Sequence, residues 1–151
     1  MGSLQKFESG FTTLYDLKET QNENWKRIVA SGSWGRTEAR IRAIDYLLGN
    51  HDRLPNSVHR NGNFKNIMLK FDPKNPTQFE VALIDNGVGR PGRSYFDINN
   101  APVRRHLPKD LLETLQEFDE AGFRQAYAEL LPTWALDDVI ARIQALRTRD
   151  L

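Results

Sequence analysis

The sequence predicts an α+β fold, mostly helical, with one small β-hairpin set between helical regions. Three patterns carry that reading. Apolar residues recur at helical spacing toward both ends of the chain, as in Ile41, Ile44, Leu47 and Leu48, and again in Val139, Ile140, Ile143 and Leu146. Period-two alternation is concentrated in the middle, over Ile67-Leu69-Phe71 and Phe79-Val81-Leu83. Residues rich in Gly, Pro and Asn separate these segments, at 51–63 and 88–102. At 151 residues, 39% hydrophobic and 27% charged, the chain is long enough to bury a core and too apolar for a disordered tail.

The elements follow in order. Residues 1–17 read as an extended piece, a turn at Gly10 and a first helical turn after Thr12-Thr13. Glu23 to Ser31 places Trp25, Ile28 and Val29 on one helical face, and Gly32 is suited to close it. A second helix is predicted over 37–49, capped by Thr37 and closed by Gly49-Asn50. Residues 50–66 form a polar loop. The hairpin occupies 67–85, with its turn at Asp72-Pro73-Lys74-Asn75-Pro76. A second loop spans 86–107, and 108–150 reads as three helices, with Pro132 separating the last two. Their apolar faces include Leu111, Leu112, Leu115 and Phe118, then Phe123, Tyr127 and Leu130. Trp25, Trp34 and Trp134 read as packing residues.

Composition removes several function classes. Lys and Arg number 21 against 20 Asp and Glu, so the net charge is +1, which provides no general attraction for nucleic acid or an anionic lipid surface. There is no Cys, hence no disulfide, thiolate zinc site or cysteine nucleophile, and a cytoplasmic location is expected. No apolar run approaches the ~18 residues of a membrane span. His51, His59 and His106 lack the spacing of a zinc site, and no Gly-x-Ser-x-Gly elbow is present.

What remains is a concentration of Asp and Asn in three segments: Gly49-Asn50-His51-Asp52-Arg53, Gly62-Asn63-Phe64-Lys65-Asn66-Ile67-Met68 and Leu83-Ile84-Asp85-Asn86-Gly87. Phosphoryl transfer needs hard oxygen ligands for Mg²⁺ and a carboxylate to orient the attacking hydroxyl. A hairpin running between Asn66 and Asp85 can bring those two residues to one metal site. Taken singly, Asp52-Arg53 also reads as a surface ion pair or helix-end turn, Asn66 as turn chemistry and Asp85-Asn86-Gly87 as a strand-ending turn.

In this order the three segments resemble the C-terminal lobe of the protein-kinase-like superfamily, in the atypical form of actin-fragmin kinase and the phosphatidylinositol 3-/4-kinase catalytic domains. The resemblance implies a single kinase-like C-lobe over 1–151, mostly helical, with its hairpin beside a catalytic loop at 50–66 and an activation-segment-like loop at 86–107. It implies Asp52 as the catalytic Asp, Asn66 and Asp85 as ligands of Mg²⁺ and ATP, and Phe7 and Glu8 in a hinge-like segment facing adenine. Fourteen residues separate Asp52 from Asn66, more than in those kinases, so Leu54 to Asn63 reads as an inserted loop, and Asn61 or Asn63 competes with Asn66 for the metal role.

No Gly-rich phosphate loop and no strand Lys paired with a helix Glu are found, so the N-terminal lobe is expected to be absent. The implied function is transfer of the ATP γ-phosphate to a hydroxyl, on a protein, with a protein substrate or a complementing N-lobe chain as partner. The alternative is an inactive kinase-fold binding or regulatory module. Arg90, Arg93, Arg104 and Arg105 read as solvated loop residues or as contacts for an acidic partner.

Overall fold

The computed structural model describes residues 10–50, 52–55, 60–85 and 107–147. Among them are six α-helices, one 3₁₀ turn and one three-stranded antiparallel sheet, so the α+β class with a helical majority holds. The described residues fall into two compact units, one containing Trp34 and what precedes it together with Asn63–Asp85, the other containing Gly35–Gly62 and the C-terminal helices. The hinge-like Phe7 and Glu8, the three histidines and the loop arginines at 90, 93, 104 and 105 lie outside the described residues.

The first unit is built on the hairpin. Strand β1 (Thr12–Thr13) leads directly into helix α1 (Leu14–Thr20), where the Thr13 hydroxyl caps the helix by accepting from Asp16 N–H at 3.0 Å. Helix α2 (Asn22–Ala30) follows and ends before Gly32, whose φ of +75° is the left-handed conformation expected of a closing glycine. Strands β2 (Ile67–Asp72) and β3 (Asn75–Leu83) pair antiparallel, with Ile67 opposite Leu83, Leu69 opposite Val81 and Phe71 opposite Phe79. That is the register implied by the alternation. The turn is tightened by the Asp72 carboxylate, which accepts from Lys74 N–H, and Arg27 of α2 donates to the carbonyls of Pro73 and Lys74. Strand β1 adds to the free edge of β2, Thr12 opposite Leu69. Leu14, Leu17, Ile28, Ile67 and Leu69 are buried, and Trp25 meets Trp34 edge to face at 5.1 Å.

The second unit centres on helix α3 (Ser33–Leu48), whose first two residues belong to the first unit. The helix begins four residues before the predicted Thr37 cap. The Ser31 hydroxyl accepts from Ser33 N–H at 3.2 Å, which satisfies one donor of the first turn, and the helix runs through Gly35. The C-terminal end is as expected. Gly49 adopts φ +70°, its N–H reaches Tyr46 O at 3.2 Å, and Asn50 N–H reaches Asp45 O at 2.8 Å. These two bonds are the Schellman arrangement, which satisfies carbonyls left open by the last turn.

Helices α4 (Lys109–Gln116), α5 (Glu120–Tyr127) and α6 (Thr133–Arg147) complete this unit. Tyr46, Leu115, Val139, Ile143 and Leu146 form its apolar core, with Leu47, Leu107, Leu111, Phe118 and Phe123 packed around them. Five packing expectations are corrected, Val29 of α2 among them at 47% exposed. Ile44 is 40% exposed, because α3 turns Ile41, Ala43, Asp45 and Tyr46 inward. Leu130, at 73%, lies in the turn after α5 rather than on a helical face, and Tyr127 and Trp134 beside it are exposed as well.

Gly62 and Gly32 allow a direct test of backbone constraint. Both have positive φ, but a Cβ at Gly62 would stand 2.7 Å from Arg53 O and 2.9 Å from Pro55, whereas at Gly32 it would meet nothing within 4 Å. Gly62→Ala should therefore destabilise by about 2–3 kcal/mol and Gly32→Ala by only about 1 kcal/mol, measured by urea unfolding of each variant. Equal losses would show that residues 53–55 yield to the added methyl.

Candidate functional site

In the first unit, hairpin pairing brings Asn66 and Asp85 to the same end of the sheet. Residues 64–66 form a 3₁₀ turn (Phe64–Asn66) that delivers Asn66 to the start of β2 with its side chain buried. Across the open end of the hairpin, the ladder runs one residue past β3, with Ile84 N–H donating to Asn66 O at 3.1 Å. The next residue is Asp85. Its carboxylate Oδ2 stands 3.5 Å from Asn66 Nδ2, the long limit of a hydrogen bond.

Asp85 has φ +53° and is the one non-glycine with positive φ among the described residues. Asp tolerates this region better than most side chains, but it still costs energy there, and such costs concentrate at functional positions. The turn carrying Asn66 is held from α1: Lys18 Nζ lies 4.2 Å from the Phe64 ring centre, and Lys65 Nζ lies 5.1 Å from that of Tyr15. Of the competing asparagines, Asn63 accepts the Asn66 N–H through its backbone carbonyl at 3.1 Å, and Asn61 belongs to the other unit.

In the second unit, Asp52 follows the cap of α3. Its N–H donates to Asn50 Oδ1 at 3.0 Å, and Asn50 is itself buried. Arg53 corrects the surface-pair reading. It is 0% exposed, and its guanidinium pairs with the buried carboxylate of Asp45 one helical turn before the cap. Arg42, itself held by Glu38 at 2.6 Å, donates to Pro55 O at 3.1 Å.

Asp45 was not among the candidate residues. Its position within an apolar helical pattern was the available signal, since a carboxylate there needs a buried partner. Burial pushes the Asp45 carboxyl up to about 6, outweighing the opposing pull of Arg53 and Arg42.

No family model, curated protein or solved structure matches the chain. The chemistry is therefore argued from the residues. Turning the Asn66 amide about its last torsion presents Oδ1 in place of Nδ2, so Asn66 and Asp85 can offer a cation one carbonyl and one carboxylate group. Among the described residues no cluster of three or more His, Asp or Glu is placed to hold a metal. A pair of hard oxygen donors suits Mg²⁺, which keeps water and phosphate oxygens in its shell and takes only one or two protein groups in phosphoryl-transfer sites.

The raised Asp45 carboxyl fixes a sign for pH dependence. The folded chain holds this proton to higher pH than the unfolded chain does. Its contribution to stability is complete below about 3.8 and is lost as pH rises through about 6. The wild type should lose stability relative to Asp45→Asn between pH 4 and pH 7, measured as melting temperatures of both proteins across that range. A constant difference would mean that Arg53 holds Asp45 near its ordinary carboxyl range.

Proposed function

We propose that the chain is the C-terminal lobe of a kinase-like phosphotransferase which, completed by an N-lobe supplied elsewhere, transfers the ATP γ-phosphate to a hydroxyl on a protein acceptor. The observation that carries this reading is the juxtaposition of Asn66 and Asp85 at the open end of the hairpin, with Asp85 in a left-handed conformation. Two hard donors flanking paired strands, beside a turn held from α1, match the protein groups that Mg²⁺ takes in a phosphoryl-transfer site.

In this reading Asn66 and Asp85 hold Mg²⁺-ATP. Mg²⁺, when bound, neutralises charge on the phosphate oxygens. Asp52 orients the acceptor hydroxyl and takes its proton as the new oxygen–phosphorus bond forms and the bond to the ADP oxygen breaks. The role of Asp52 rests on its place in the Gly-Asn-x-Asp-Arg segment and on the resemblance that segment carries.

Calorimetric titration with ATP, with and without Mg²⁺, tests the assignment on the folded chain. Wild type should show Mg²⁺-dependent binding that weakens at least tenfold, about 1.4 kcal/mol, in Asp85→Asn, since Asn also tolerates a left-handed backbone but removes the charge. Asp52→Asn should bind ATP as wild type does and fail to transfer phosphate. Absence of Mg²⁺-dependent binding by the folded wild type would overturn nucleotide binding by this lobe alone and select either a kinase-fold binding module or a lobe that binds nucleotide only with a complementing N-lobe chain.

A further inference from the structure

The loop that carries Asp52 has no regular secondary structure over residues 52–55, yet it is gripped at both ends by one residue of α3. Asp45 O accepts the N–H of Asn50 at 2.8 Å, and the Asp45 carboxylate takes the guanidinium of Arg53. Between these grips, Asn50 Oδ1 accepts the N–H of Asp52. The far side is closed by Gly62, packed against Arg53 O and Pro55, and by Arg42 on Pro55 O.

Stability alone gives little reason for this arrangement. Replacing a buried ion pair by apolar side chains of similar volume is often neutral or stabilising. A planar guanidinium on a buried carboxylate instead contributes direction, because its donors satisfy the acceptor in few geometries.

From this we infer that Asp45 and Arg53 are positioning residues for Asp52, fixing the backbone from which its carboxylate is presented. The inference rests on the role proposed above for Asp52 and adds to it the device that aims the residue. The pair acts on the loop without touching the reacting groups, so its loss should slow chemistry more than nucleotide binding.

The test compares wild type with the double variant Asp45→Leu/Arg53→Met by amide hydrogen exchange, resolved by NMR, and by the Asp52 carboxyl carbon shift. The double variant should melt within a few degrees of wild type. Its Asp52 amide should exchange at least tenfold faster, the Asp52 carboxyl signal should move, and the amides of α6 should exchange as before. Wild-type protection and an unmoved carboxyl signal at Asp52 in the folded double variant would overturn the inference.

If that variant does not fold, Asp45→Asn carries the test. It keeps the Asn50 grip and removes only the charge facing Arg53. Faster exchange confined to residues 50–54 supports positioning, whereas an equal rise across α6 overturns it in favour of a purely structural pair. The exchange readout does not depend on turnover. A wild type that fails to bind Mg²⁺-ATP refutes nucleotide binding by this lobe alone, while exchange separately decides what the pair does to residue 52.

Discussion

Arg53 brings a permanent charge into an interior that tolerates none unpaired. A guanidinium cannot shed its proton at any physiological pH, so burying it requires a carboxylate within reach and further acceptors around it. Asp45 meets that requirement from the last turn but one of α3, and much of the second unit's local geometry follows. The helix must turn Asp45 inward, which places the neighbouring Ile44 toward solvent. The chain must stop its helix soon afterwards, which Gly49 permits through its left-handed backbone. It must then return to lay Arg53 back along the helix it has just left. The close approach of Gly62 to the Arg53 carbonyl is the last consequence, since a side chain at that position would collide with the loop.

The first unit obeys a different constraint, the register of one hairpin. Cross-strand pairing is the only regular element linking Asn66 with Asp85, which stand nineteen positions apart in the chain. A slip of one residue would turn the buried Ile67 and Leu69 to the opposite face, so the apolar pattern that stabilises the sheet also places the polar pair at its end. Lys18 on Phe64 and Lys65 on Tyr15 add a second hold on the same turn. The left-handed backbone at Asp85 is the local cost of that placement. It is sustained by the paired strand before it, where Ile84 is still bonded to Asn66.

Much of this was legible in the chain because it depends on near neighbours. Alternation at 67–71 and 79–83, with Asp72-Pro73-Lys74-Asn75-Pro76 between them, defines a hairpin whatever surrounds it. Gly32 and Gly49 end their helices because few other residues adopt positive φ at low cost. The start of α3 lies before Thr37 because Gly35 is carried inside the helix, which local propensity argues against and packing decides. The exposure of Trp134 was misread for a related reason: its position at the first turn of α6 is local, but which side of that turn meets the core is not.

By itself, the sequence determined the class of fold, the hairpin with its register and the Asp and Asn residues available for chemistry. Each of these follows from periodicity, turn composition or side-chain type, which act over a few residues. Only the tertiary structure decided that Arg53 is an interior residue bound to Asp45 rather than a surface companion of Asp52. It alone decided that Asp85 holds a left-handed backbone beside Asn66. Burial of a charge and strain at a single φ are properties of what the rest of the chain packs around a residue, and one-dimensional order does not carry them.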